Sequence, residues 1–121
     1  MAWEVEFTDE FGKWWDTLTE KQQDTIDRLV EILEAQGPLL KEPYSKRIES
    51  SRHFPSMKEL RAKQEDYIRV FYAFDPQRTA ILLIGGGKAG RWEEFYDEYI
   101  PLADKLYDVH LQTIQNEQEG T

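Results

Sequence analysis

The sequence predicts an α+β domain: a small, mostly antiparallel sheet with two N-terminal helices on one face and a further helix at the C-terminal end. Three observations predict it. Apolar residues recur at helical spacing on both sides of a central stretch in which strand-like runs follow one another. Asp75-Pro76-Gln77-Arg78 separates two of those runs and suits a tight turn with proline in second place. The 121 residues, 40% hydrophobic and 13% aromatic, suffice for one core and argue against disorder.

Each element has its own signal. Residues 3–7 alternate apolar and acidic side chains, as a half-buried strand does. Thr8 or Asp9 then caps a helix whose Phe11, Trp14, Trp15 and Leu18 share one face. Thr19-Glu20-Lys21-Gln22 has the form of a capping box, and the helix it opens buries Ile26, Leu29, Val30 and Leu33 before Gly37-Pro38 stops it. Periodicity fails over residues 39–56, which predicts a long irregular connection carrying Lys41, Lys46, Arg47, Arg52 and His53. Three strands are expected at residues 57–61, 67–75 and 79–85, the last two as an antiparallel hairpin. Residues 80–84 are apolar without alternation, the mark of a central strand. After a glycine-rich loop, Trp92, Phe95, Tyr96 and Tyr99 fall at helical spacing. Pro101 is expected to open a new helix carrying Ala103, Leu106, Tyr107, His110, Leu111 and Ile114. The predicted order is β-α-α-β-β-β-α, with one domain over residues 1–114 and a flexible acidic tail over residues 115–121.

Composition excludes several functions. With no cysteine there is no disulfide framework, thiol nucleophile or Cys-bound zinc. The two histidines, His53 and His110, lack metal-ligand spacing, so no metal is expected. The glycine run at residues 85–90 lacks the phosphate-loop order, and no GxSxG elbow occurs. The longest apolar run is five residues against the roughly 20 of a membrane span, and the first ten residues are acidic without an apolar signal core. A cytoplasmic protein with no membrane contact is expected.

The net charge of −9 is unevenly spread. Residues 1–37 carry −7, residues 38–91 carry +5 and residues 92–121 carry −7. If Ile68, Val70, Tyr72 and Phe74 face the core, alternation leaves Tyr67, Arg69 and Phe71 on the opposite, open face. Glu59 and Arg61 fall on that face too, and Lys88 and Arg91 arrive from the loop after the central strand. Converging cations with interleaved aromatic rings suit single-stranded RNA. The plainer alternative is that Arg61 and Arg69 pair with Glu59, Glu65 or Asp66 across neighbouring strands.

These residues carry a resemblance. Met57-Lys58-Glu59-Leu60-Arg61, the strand from Tyr67 through Arg69 to Asp75, residues 81–85 with Lys88, and the segment from Trp92 to Tyr107 resemble the RelE/ParE toxin superfamily, in particular its HigB branch related to phage-derived toxin-like proteins. The similarity runs over roughly residues 3–111 through short, degenerate motifs. It implies a RelE-like fold and the toxin of a type II toxin–antitoxin pair that cleaves mRNA on the ribosome. Such enzymes need no metal or cofactor, because the RNA 2′-hydroxyl is the nucleophile.

By motif position the resemblance implies that Arg69 holds the scissile phosphate. Lys88 and Arg91 would bind phosphate or protonate the leaving oxygen, and Tyr96 would stack on a base or assist proton transfer. Glu59 or His53 would serve as base. Arg61 would hold neighbouring backbone, and Lys58, Tyr67, Phe71, Arg52 and His53 would complete the RNA-binding set. The implied partners are the ribosome, mRNA and a cognate helix-turn-helix antitoxin. The antitoxin would supply any operator contact, since no helix here is basic enough to enter a DNA groove. Two departures stand out: the acidic net charge, and a 57–61 strand that offers a single lysine, Lys58, on the face opposite Arg69. The alternative is a ParE-like or degenerate toxin fold that acts through protein contacts rather than catalysis.

Overall fold

Residues 80–84 are apolar on both faces because their strand is covered on both. In the computed structural model, which describes residues 2–62, 67–87 and 92–120, this strand is β5 (Ala80–Gly87), with seven of its eight residues buried. It lies between β1 (Val5–Phe7), parallel to it, and β4 (Ile68–Phe74), antiparallel. β3 (Lys58–Arg61) and β2 (Ser45–Arg47) extend the sheet beyond β4, giving the order β1-β5-β4-β3-β2. Strand β2 falls inside the stretch expected to be irregular, where it pairs antiparallel with β3.

Helices α1 (Asp9–Trp15) and α2 (Glu20–Gln36) cover one face. Phe11, Ile26, Leu29 and Leu33 pack there against Leu60, Val70, Tyr72 and Leu82. The other face is not open. The long helix α3 (Trp92–Glu119) lies across it, packing Phe95, Ala103 and Tyr107 on Phe71, Ala73, Ile81 and Leu83. A register shift at Phe71/Tyr72, which pair with Ile84 and Leu82, turns both Leu83 and Ile84 toward α3.

Helix α3 runs through Pro101 without a break. Proline removes an N–H and frees the carbonyl four residues back. Both Pro101 and Asp97 are exposed residues on the outer side of the helix, while Tyr99 and Ala103 hold the helix to the sheet from either side. The residues expected to begin a tail at Gln115 continue α3 as exposed helical turns to Glu119. Among the described residues, no helix is long and apolar enough to cross a membrane.

Local signals set the helix ends. Thr8 caps α1, accepting from the Phe11 N–H at 3.0 Å while its hydroxyl donates to the Leu83 carbonyl at 2.7 Å, which ties the helix to the sheet. The capping box at α2 is reciprocal: Gln22 N–H to Thr19 Oγ1 at 3.1 Å, and Thr19 N–H to Gln22 Oε1 at 2.9 Å. Gly37 ends α2 at a φ of 58°, with a Cβ position blocked by the Trp3 ring, so only glycine fits. Thr19→Ala is expected to cost about 1 kcal/mol, read as a lower urea midpoint with unchanged slope.

Candidate active site

The antiparallel register brings chemistry from three strands to the face that α3 covers. Lys46 on β2 lies opposite Glu59 on β3, and Arg61 on β3 lies opposite Arg69 on β4. Alternation along β3 and β4 sets Glu59, Arg61 and Arg69 on one face, as the sequence predicts. Their exposure differs from that expectation. Glu59 and Arg69 are buried, at 3% and 5% exposure, beneath α3.

Burial demands partners, and the two residues supply them for each other. Arg69 Nε stands 3.1 Å from Glu59 Oε1. The Nε–H is not aimed at that oxygen, so the contact is an ion pair rather than a hydrogen bond. Arg69 Nη1 donates to the carbonyls of Ile68 at 3.0 Å and Ala62 at 3.3 Å. From α3, the Tyr96 hydroxyl donates to Glu59 Oε1 at 2.7 Å and Oε2 at 3.2 Å. Burial, reinforced by the Glu59 carboxylate, pushes the Tyr96 hydroxyl up to about 12. A carboxylate, a fixed cation and a hydroxyl that stays protonated at neutral pH therefore meet at one point. Pairing of Arg69 with Glu59 across neighbouring strands is the alternative that the fold realises.

Glu59 and Tyr96 line a cleft of about 560 Å³, whose wall includes Lys46, Arg47, Ser50, Arg61 and Ile100. Among the described residues, neither Lys46 nor Arg61 has a carboxylate ion-pair partner. With the exposed Glu49 the one described acid beside them, the rim carries more cations than acids, above a floor where Glu59 is paired with Arg69. Sequence reasoning noted Lys46 and Arg47 as cations of a long connection without making them site residues. The missing signal was β2, which gives Lys46 a fixed place opposite Glu59.

Other expected site residues lie elsewhere. Phe71 is fully buried, packed nearly parallel to Phe95 and Tyr99 at centroid distances of 5.9 Å and 6.4 Å, and is core rather than stacking surface. Lys58 sits on the opposite face, donating to the Pro38 carbonyl at 3.3 Å with its Nζ 5.9 Å from the Phe74 ring centroid. Burial, with Arg47 nearby, lowers its pKa. Tyr67 is half exposed, in the turn immediately before β4. Lys88 and Arg91 lie outside the described residues.

Arg52 and His53 are bound away from the cleft. Arg52 Nη2 and His53 Nε2 meet the two carboxylate oxygens of Asp108 at 2.7 Å and 2.6 Å. Ser51 Oγ and the Arg52 N–H bind Asp104, the former at 2.5 Å. Asp108 is twelve residues beyond Tyr96 on α3, roughly 18 Å along the axis at 1.5 Å per residue. His53 therefore does not join Glu59 as an alternative base. The same contacts make a testable clasp. The hydrogen bond from Arg52, then that from His53, holds the Asp108 carboxyl below its ordinary 3.8. A lowered carboxyl favours the folded state above its ordinary value and loses that contribution as pH falls through the lowered one. Amide exchange over residues 51–57 is expected to accelerate below about pH 4, and in Asp108→Asn already at pH 7, with little change in global stability.

The solved structures most informative about the fold are RelE-like toxins. A free mutant of Escherichia coli RelE superposes with a TM-score of 0.57 at 18% identity, covering 81% of this chain and 94% of that one. The RelE of the RelE–RelB complex from Pyrococcus horikoshii gives 0.56 at 18% identity, covering 74% and 99%. The α+β domain is thus a RelE-like fold. The family follows from sequence. Residues 13–108 match the family described as phage derived protein Gp49-like. HigB3 of Mycobacterium tuberculosis is 41% identical over 93 residues, covering 77% of this chain and 80% of its own length. HigB2 of the same organism is 36% identical over 113 residues, and the match covers 92% of this chain but only 55% of HigB2. The chain belongs to the Gp49-like family and is a relative of HigB3 and HigB2.

Proposed function

We propose that this chain is the toxin of a type II toxin–antitoxin module and acts in the cytoplasm as a metal-independent, ribosome-dependent endoribonuclease. The observation that supports this reading is the meeting of Arg69 with Glu59 and Tyr96, the latter two lining a cleft whose wall carries Lys46 and Arg61. In-line cleavage needs a base for the 2′-hydroxyl proton, positive charge near the phosphorane oxygens and an acid for the departing 5′-oxygen. Glu59 is the base in this proposal, accepting the proton as the 2′-oxygen bonds to phosphorus. Arg69 fixes the carboxylate from behind and adds positive charge beneath the floor. Tyr96, protonated at neutral pH, donates to the 5′-oxygen as the P–O bond breaks. The products are a 2′,3′-cyclic phosphate and a 5′-hydroxyl. Arg61 and Lys46, with Lys88 and Arg91, hold the flanking backbone, and a cognate antitoxin of helix-turn-helix type restrains the toxin.

The relatives named above carry toxin names, and the solved RelE structures include complexes with RelB. Both facts support an antitoxin partner. The test is induced expression of wild type, Tyr96→Phe and Arg61→Ala, with growth recorded and mRNA 5′ ends mapped. New ends inside translated codons, lost in the folded variants, are expected. Growth arrest without new ends would overturn the nuclease and favour a ParE-like action through protein contacts.

A further inference from the structure

A second cavity adjoins the cleft around the end of the sheet. The Arg61 N–H at the end of β3 donates to the Tyr44 carbonyl before β2 at 2.9 Å, which sets these two residues side by side. Helix α2 passes beside them. A pocket of about 300 Å³ opens between, lined by Arg28, Leu29 and Ile32 of the helix and by Pro43, Tyr44 and Arg61. Arg61 also belongs to the wall of the cleft lined by Glu59 and Tyr96, so the two cavities meet at its side chain. Tyr44 is 41% exposed, and Lys46, two residues further along, stands in the cleft wall.

The lining identifies the ligand. Leu29, Ile32 and Pro43 supply apolar contact, Tyr44 an aromatic ring and Arg28 and Arg61 two cations, with no acid among the described lining residues. Neither arginine has a carboxylate ion-pair partner among the described residues. Such a slot fits a flat ring that carries phosphate, and single-stranded RNA is read by splaying its bases onto aromatic and guanidinium planes. An acidic peptide would use the cations and leave the ring and the apolar contact unmatched. The volume is at the lower end for a small-molecule site, room for one base rather than a stacked run. We propose that this pocket receives one unstacked base of the RNA strand whose backbone crosses the cleft. Tyr44 stacks on the base, and Arg28 and Arg61 hold the phosphates on either side of it. The inference rests on the reading that the cleft takes RNA, and it adds a base-binding subsite outside the reacting centre.

The probe is a 2′-O-methyl hexa-adenylate, which lacks the free 2′-hydroxyl that cleavage needs, titrated at low salt into the full-length chain and followed by amide shifts. An abasic strand of equal charge and a hexaglutamate peptide are the controls. Saturable shifts over residues 25–32 and 43–47 are expected with the hexa-adenylate. Affinity should fall roughly tenfold in Tyr44→Ala and roughly threefold in Arg28→Ala, both at exposed positions that leave folding intact, and persist in Tyr44→Phe. With the abasic strand, Tyr44→Ala should bind as wild type does. Equal affinity for the abasic strand, undiminished affinity in Tyr44→Ala, or no saturable shift over residues 25–32 at millimolar probe would overturn the proposal. Hexaglutamate shifting the same residues as strongly would overturn it in favour of an acidic protein segment. Because the probe is not cut, the two proposals fail separately. Cleavage of mRNA without pocket shifts would remove the subsite and leave the nuclease, and pocket shifts without cleavage would do the reverse.

Discussion

Replacing Arg69 by alanine is expected to destabilise the domain by about 3–5 kcal/mol, the range for breaking one side of a buried ion pair. The magnitude follows from where its partner sits. Glu59 is 3% exposed, and with Arg69 gone it keeps only the Tyr96 hydroxyl, so a carboxylate without a counterion remains under α3. Glu59→Ala is expected to cost a similar amount, because it strands the guanidinium instead. Replacing both, as Glu59→Leu/Arg69→Met, should recover most of the loss, since a well-packed apolar pair offsets the desolvation that the ions require. Urea unfolding of the two singles and the double closes the cycle. Single variants within 1 kcal/mol of wild type would show that the pair is solvated in solution. The consequence for the proposed function is direct: loss of activity in Arg69→Ala would report an unfolded chain as readily as an idle one.

That burial is also where sequence reasoning stopped. Period-two alternation set Glu59, Arg61 and Arg69 on one face, and β3 and β4 pair in the register that realises it. What alternation does not reveal is the cover. Proline at position 101 argues for a break in the helix, and a broken helix would not cross the sheet. The helix continues through Pro101, which lies on its exposed side. With α3 unbroken, Phe95 and Tyr99 land on Phe71, and Tyr96 lands on Glu59. One tolerated proline thus turns an expected RNA-stacking ring into core and an open arginine into a buried one. Strand β2 was missed for a different reason. It has three residues, of which only Ser45 is buried, held by a 2.5 Å hydrogen bond to Tyr72, and three residues are too few for periodicity to register. The ends of α2 depend on neighbours in sequence and were legible, and of the two caps offered for α1 it is Thr8 that serves. Leu18, expected on α1, lies three residues past its end at Trp15.

Tyr96→Phe is expected to lower cleavage by about a hundredfold while leaving the domain folded, which makes it the cleaner probe of chemistry. The substitution removes one hydroxyl. Glu59 keeps its ion pair with Arg69, so the stability cost is about 1.5–3 kcal/mol, that of a hydrogen bond to a charged group. The hydroxyl's pKa of about 12 predicts two pH signatures. A group whose pKa is raised by folding stabilises fully below its unfolded value, here 10, and loses that contribution as pH rises toward the folded value. Wild type should accordingly lose stability between about pH 10 and 12 by one step more than Tyr96→Phe does. In the proposed cleavage the same hydroxyl would stay protonated across the whole neutral range, so cleavage on programmed ribosomes should show no falling limb from Tyr96 below about pH 9. Unchanged single-turnover cleavage in a folded Tyr96→Phe would remove the tyrosine from the chemistry and leave it as the side chain that holds Glu59 in place. A loss of cleavage without a loss of fold would assign the departing oxygen's proton to α3, the element that the sequence alone broke in two.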